Sequence, residues 1–399
     1  MRLGIEASNL REGGGVTHLT ALLSRAAPGA HGFHEVIVWG GRATLEQLPD
    51  RPWLIKCVQA AFDTSLLAGI LWQQRGVARA ARAARCDILF VPGGSYLGDF
   101  RPFVTMSRNM QPFDIEELRR HGWSAAAARL WLLRRVQIRS FRRADGLIFL
   151  TRYAKDAVMS VVKSVAGRTT IIPHGVDARF LRPPSPQIPM SEYRSERPCR
   201  ILYVSIINVY KHQWYVAEAV ARLRAAGLCV ALDLVGPARP GPLARLRRTL
   251  DRVDPEGRFI RYLGPVPHRE LPELYAAADL CLFASSCENM PNILLEGMAA
   301  GLPVACSNRG PMPEVLGDGG VYFDPEDPED IARALRELIE SEELRVRLSR
   351  RSNERARQYT WERCAADTLD FVAQVAQAAQ APLMARAAAL TTADGKPGE

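Results

Sequence analysis

Residues 285–303 constrain this chain more than any other stretch, because a helix start and a helix stop fall within one short span. Pro291 is compatible with a helix only in its first turn, and Asn289 just ahead of it is a good capping residue. Gly301 supplies a left-handed stop, with Pro303 soon after it. Upstream, the apolar run 280–284 reads as a buried strand. The spacing therefore predicts a strand, a tight loop and a short helix. A helix that starts at the carboxyl end of such a strand presents free N–H groups and a positive dipole end, which together seat an anion.

Two carboxylates stand beside that seat, Glu288 in the loop and Glu296 in the helix. Carboxylates do not hold phosphate, but they accept hydrogen bonds from hydroxyls, and a nucleotide sugar carries hydroxyls on both sides of a diphosphate. On this reading one glutamate holds the sugar and the other the ribose. The plainer alternative makes Glu288 a charge complementing the helix dipole and Glu296 a solvated helix residue.

The rest of the chain alternates strands and helices. Strand-like segments fall at 2–7, 35–39, 54–58, 88–91, 103–106, 147–150 and 169–172, with helical segments at 16–25, 65–84, 115–143 (broken near Gly122) and 153–165. A second alternation begins at Arg200: strands at 201–204, 230–235, 258–262 and 321–323, helices at 213–226, 243–253 and 269–277. Such alternation implies parallel sheets covered on both faces, an α/β fold of two doubly wound, Rossmann-like domains. Between them lies a proline-rich connector at 183–189 that no helix or sheet interior would tolerate. The expected domains are 1–181, a linker at 182–198, and 199–360, followed by a helix at 361–380 and a largely disordered tail at 381–399.

A chain of 399 residues can bury a core in each of two domains. No run of about eighteen apolar residues is present, and the amino terminus runs straight into a strand, so a cytoplasmic location is expected. Eight cysteines without a CxxC pair or zinc spacing argue for reduced packing thiols and against a disulfide scaffold. The net charge of +9 admits nucleic acid, an anionic membrane or an anionic substrate. Because Arg and Ala abound throughout, part of that excess is compositional; the remainder favours the inner membrane surface, and no nucleic-acid partner is expected. The stretch 119–143 is basic with Trp123, Trp131, Leu132 and Leu133 interleaved. It reads either as a surface for an anionic membrane or lipid-linked acceptor, or as a packed helix with a solvated basic face.

The segment 285–303, with its paired glutamates, its Glu296-Gly297-Met298-Ala299-Ala300-Gly301-Leu302-Pro303 run and the later Gly310-Pro311-Met312-Pro313-Glu314-Val315, resembles the donor-site signature of the retaining glycosyltransferases of family four. The resemblance extends over most of the chain. It implies the glycosyltransferase B (GT-B) architecture, two domains facing across a cleft, with the last helix crossing back to the first domain. It implies transfer of a sugar from a UDP- or GDP-sugar to a hydroxyl of a glycan or lipid-linked oligosaccharide acceptor in surface polysaccharide assembly. No Asp-x-Asp pair lies near the site, so neither a metal nor a cofactor beyond that co-substrate is expected. By position, the resemblance places the donor against Gly14 and Gly15, Ser205, Asn208, Lys211, Val266, Glu288, Asn289, Met290, Pro291, Asn292 and Glu296.

Lys211 and Glu288 are the expected catalytic pair, Lys211 as a point charge on the diphosphate. Where family members carry an arginine before that lysine, this chain has Ser205, Ile206 and Asn208, so Asn208, Arg309 or Arg108 stands in for the second cation. Where members often carry a histidine near the reacting carbon, this chain has Arg108 and Asn109, so either of these takes the catalytic role, or His121 reaches in, or the role is absent. His18 and His174 read as structural. Two further readings stay open: a nucleotide-sugar epimerase of the same architecture, and a non-catalytic membrane or nucleic-acid adaptor that keeps the fold.

Overall fold

The computed structural model describes residues 1–10, 13–59, 72–120, 122 and 124–393, with side chains through residue 381. Strands β1 to β13 span Arg2–Glu6, Glu35–Gly40, Leu54–Val58, Ile88–Val91, Phe103–Met106, Gly146–Phe149, Arg168–Ile171, Cys199–Val204, Val230–Val235, Ile260–Tyr262, Leu280–Phe283, Val304–Ser307 and Gly320–Phe323. Helices α1 to α14 span Gly14–Arg25, Arg42–Leu45, Val77–Ala83, Ile115–Arg120, Ala125–Arg143, Arg152–Val162, Gln213–Ala225, Pro240–Val253, Leu271–Ala276, Asn292–Ala299, Met312–Leu316, Pro328–Glu340, Glu342–Ala356 and Trp361–Ala393.

The chain divides into two compact units. Unit 1 holds residues 1–113, 123–174 and everything from Trp361; unit 2 holds 114–122 and 175–360. Among the described residues, unit 1 carries a seven-stranded sheet ordered β3-β2-β1-β4-β5-β6-β7, and unit 2 a six-stranded sheet ordered β10-β9-β8-β11-β12-β13. Every named pairing is parallel. The central strands β4, β6, β11 and β12 are buried at every residue, as strands covered on both faces must be. Helix starts are set by short polar side chains: Ser124 caps α5 through Ala127 N, and Thr151 caps α6 through Ala154 N. All eight cysteines are free, and burial pushes the Cys281 thiol up to about 12, which suits a packing residue.

Several expectations are corrected. The first unit ends at His174 rather than 181, and the proline connector counts with unit 2. The segment is tied to unit 2 where Val176 N donates to Tyr359 O at 2.9 Å and Arg182 N to Ala299 O at 3.0 Å, and by Arg345, fully buried on α13, which donates to Leu338 O (2.7 Å) and Ile339 O (2.6 Å) and reaches Gln187 Oε1 (3.1 Å) and Ile188 O on the connector. A connector bolted in this way is part of the unit it crosses. Strand β12 went unforeseen, because four buried residues directly after Gly301-Leu302-Pro303 look like the end of a helix stop. The last helix continues beyond 380 to Ala393, and it packs on α1 and β4 to β6 within unit 1. The first part of the helix expected at 65–84 lies outside the described residues; its described part is a π-helical turn, Trp72–Gly76, continued by α3.

Both sheets change direction at an inner pair of strands, β1 and β4 in unit 1, β8 and β11 in unit 2. The loops leaving such a pair diverge and open a crevice at the carboxyl ends. In unit 2 the backbone there is close-packed: Gly236, at φ +139°, leaves no room for a Cβ, which would lie 2.2 Å from Ser205 O.

Candidate functional site

The loops after β8 and β11 in unit 2 carry most of the expected site. Parallel pairing of Leu280 with Ile201 and Cys281 with Leu202 brings the two loops out side by side. They are tied together where Ser286 N donates to Tyr210 O at 2.9 Å, and the Tyr203 hydroxyl fixes the turn by donating to Lys211 O at 2.7 Å. Lys211 Nζ thereby reaches Glu288 Oε1 as an ion pair, with side chains only 8% and 17% exposed. The ammonium also sits 5.0 Å from the Phe283 ring centre and 5.2 Å from that of Tyr210. A shielded pair at a strand edge is expensive to desolvate and is held by the loops, so its geometry is preset.

Glu296 is not the solvated helix residue of the plainer reading. It is 7% exposed on α10, its Oε1 lies 2.9 Å from His268 Nε2, and Tyr275 OH approaches Oε2 at 3.5 Å. Burial raises its pKa, while the hydrogen bond to Glu296 raises that of His268. The His268 ring is 5.2 Å from that of Phe180. His268 belongs to the turn that also carries half-buried Val266, where Gly264 has φ +72° and its carbonyl accepts from Gly236 N at 2.8 Å.

The helix start differs from expectation. Pro291, not Asn289, is the capping residue, and α10 begins at Asn292. Pro291 has no N–H and Asn292 N donates to Met290 O at 3.0 Å, so the open amides of the turn are those of the next residues, Ile293 and Leu294. Asn289 and Met290 are buried residues of the loop itself. Asn208 caps the short turn Val209–Lys211 by accepting from Val209 N at 2.8 Å, and the Ser205 hydroxyl accepts from Gln213 Nε2 at 2.7 Å. Arg309 is engaged by Asp324 at 2.9 Å.

The chain also brings a cluster to this edge that the sequence did not signal. Ser286 Oγ donates to Glu117 Oε1 at 2.5 Å, and His212 Nε2 lies 2.9 Å from the same Ser286 Oγ. With the serine proton given to Glu117, His212 Nε2 is the donor to the serine oxygen. Arg120 holds Glu117 at 3.0 Å and also pairs with Glu326. Burial raises the Glu117 carboxyl and lowers His212 to about 4. The only hint in the sequence was the (i, i+3) spacing of Glu117 and Arg120 on a short amphipathic helix, which reads as a solvated pair. Arg120 is thus an internal anchor and not part of a free basic face.

Unit 1 has its own strand-edge group. Gly13, at φ +70°, precedes α1, so Gly14 and Gly15 lie in its first turn and not in a loop. Arg108 Nη2 donates to Gly14 O at 2.6 Å, and a Cβ on Gly15 would lie 3.0 Å from Arg108 Nη1. Desolvation lowers Arg108 to about 10. Asn109 Oδ1 accepts from Gln111 N at 3.1 Å, a local turn. His18 is buried with its ring centre 4.6 Å from that of His174 and 5.8 Å from Trp361, and burial holds its pKa well below 6.5, as befits a structural ring. His121 and Trp123 lie outside the described residues.

Solved structures share this fold. Sucrose-phosphate synthase from Thermosynechococcus elongatus superposes with a TM-score of 0.74 at 18% identity, covering 95% of this chain and 100% of that one. HepE of Anabaena, solved in complex with UDP-glucose, gives 0.66 at 19% identity, covering 96% and 100%. The fold is therefore that of the GT-B glycosyltransferases. A family profile described as "Glycosyltransferase Family 4" matches residues 13–180, and one described as "Glycosyl transferases group 1" matches 198–341. The chain belongs to the group 1, family 4 glycosyltransferases. A curated relative, O-antigen chain mannosyltransferase B of Escherichia coli, is 38% identical over 125 residues, 31% of this chain and 32% of that protein. The chain spans between 32% and 53% of the length of the first two curated relatives it matches.

Proposed function

We propose that the protein transfers a sugar, with retention of anomeric configuration, from a UDP- or GDP-sugar to a hydroxyl of a glycan or lipid-linked acceptor in surface polysaccharide synthesis at the inner membrane face. The observation that carries this reading is the shielded Lys211–Glu288 pair beside the start of α10, with Glu296 buried in the same helix. Charge builds on the leaving diphosphate, and preorganised donors aimed at it stabilise the transition state. Lys211 and the dipole of α10 supply them, Glu288 accepts from the sugar and Glu296 from the ribose. The sugar C1–O bond to the diphosphate breaks as the acceptor oxygen bonds C1 on the same face. The acceptor proton passes to a leaving phosphate oxygen, so no side-chain base is required. The UDP-glucose complex of HepE supports the donor class, and the O-antigen mannosyltransferase supports the glycan setting.

The test is incubation with a panel of UDP- and GDP-sugars, with and without polyprenyl-linked glycan acceptors, followed by NMR of the products. A new glycosidic bond with the donor's anomeric configuration is expected. Inversion refutes retention, and an epimerised donor in the absence of acceptor establishes the epimerase reading instead. Salt-sensitive RNA binding without affinity for any nucleotide sugar would favour an adaptor.

A further inference from the structure

Helix α5 turns an unusual face outward from unit 1. Arg135 and Arg139 stand one turn apart on that face, an arrangement of like charges that weakens a helix. With Arg75 of the π-helical turn they surround a hollow of about 480 Å³, completed by Gln74, Leu97 and Val136. None of the three arginines has a hydrogen bond or ion pair among the described residues, whereas Arg134, Arg142 and Arg143 nearby each donate to a backbone carbonyl. Along the same face, one turn toward the start of the helix, Trp131 is 49% exposed and Leu132 is 64% exposed. Trp131 is held in place: the Arg134 guanidinium lies 5.2 Å from its ring centre and is itself fixed by donating to Pro112 O at 3.1 Å.

Three arginines lining one hollow suit a polyanionic group, because guanidinium matches phosphate oxygens in pairs. A soluble phosphate would account for the arginines but not for an indole and a leucine standing in water beside them. A lipid headgroup accounts for both, since apolar side chains enter the acyl boundary while arginines take the phosphate above it. We propose that this face of α5 docks on an anionic phospholipid bilayer, with the phosphate of one headgroup seated between Arg75, Arg135 and Arg139. This deepens the membrane placement proposed above, yet its main readout, vesicle binding, is measured without sugar transfer.

The full chain is sedimented with vesicles of phosphatidylcholine alone or with added phosphatidylglycerol, at low and near-molar salt. Binding is expected only to the anionic vesicles and is screened by salt. Arg135→Gln with Arg139→Gln should lower partitioning about 30-fold, and Trp131→Ser with Leu132→Ser about tenfold. A charge-matched control, Arg347→Gln with Arg350→Gln in unit 2, should bind like the wild type. Transfer to a soluble acceptor should be unchanged in the arginine variant.

Equal sedimentation with neutral vesicles, or wild-type binding by the arginine variant, overturns the proposal. Displacement from vesicles by millimolar inorganic phosphate overturns it in favour of a free-phosphate site. Loss of soluble transfer in that variant would assign the arginines to the reaction instead. Loss of transfer by the wild type, with lipid binding intact, would sink only the proposed function.

Discussion

Lys211 and Glu288 form a pair that either serves the donor or merely holds two loops together, and a double substitution separates these roles. Lys211→Met leaves the Glu288 carboxylate, 17% exposed, with its cation gone. Breaking one side of a shielded pair costs about 3 kcal/mol, the lower end of the usual range because water retains some access to Glu288. For a unit of this size that is about 6 to 12 °C in Tm. Adding Glu288→Gln removes the stranded charge, and the double variant should regain most of that loss, with a coupling of about 2 kcal/mol.

Transfer should behave differently. Removing a donor aimed at the leaving group costs about a hundred- to a thousandfold in kcat, and the glutamine cannot restore it. Urea denaturation of the wild type, both single variants and the double variant measures the first quantity, and single-turnover transfer the second. If the double variant recovers both stability and rate, the pair is only a tie between loops and the assignment of Lys211 to the diphosphate is wrong.

Other contacts give further expected outcomes. His268 is raised above 6.5 by Glu296, so the stability it confers is fully present below 6.5 and is lost as pH rises through its raised folded value. The wild-type Tm should therefore fall from about pH 6.5 upward more steeply than that of His268→Gln, and superimposable Tm–pH curves would refute this. Arg345→Met strands the carbonyls of Leu338, Ile339 and Ile188, and should cost about 3 kcal/mol and expose residues 182–198 to limited proteolysis; an unchanged digestion pattern would show that the connector is held by something else. Gly236→Ala places a Cβ 2.2 Å from Ser205 O at a φ of +139°, so it should destabilise unit 2 by more than about 2 kcal/mol in urea titration, and a neutral effect would contradict the close approach.

The fold was legible because parallel strands buried on both faces leave continuous apolar runs, and because residues 183–189 punctuate the chain. The placement of Glu288, Glu296 and Lys211 at the strand edge of unit 2 was legible from one strand–loop–helix pattern and one strand-edge lysine. Ownership of segments was not. Glu117 lies far from Ser286 in sequence, and nothing local in 114–122 shows that it belongs to unit 2. Likewise Asn289 and Pro291 satisfied a capping rule at the wrong register. A proline with φ −84° and ψ 77° took the cap itself, which local preference disfavours and the packing of a buried loop imposed.

Helix α14 closes unit 1 with side chains that arrive last. Its Glu362 pairs with Arg25 at 2.8 Å, and Gln380 donates to Asp87 at 2.8 Å. A ribosome adding about 5 to 20 residues per second must therefore make all of 175–360 before the first sheet receives its final cover. For about 10 to 40 seconds the early-made half waits with an apolar flank bare, while the later-made half can already be complete. Nascent chains stalled short of residue 361 should thus engage chaperones through the half that was translated first.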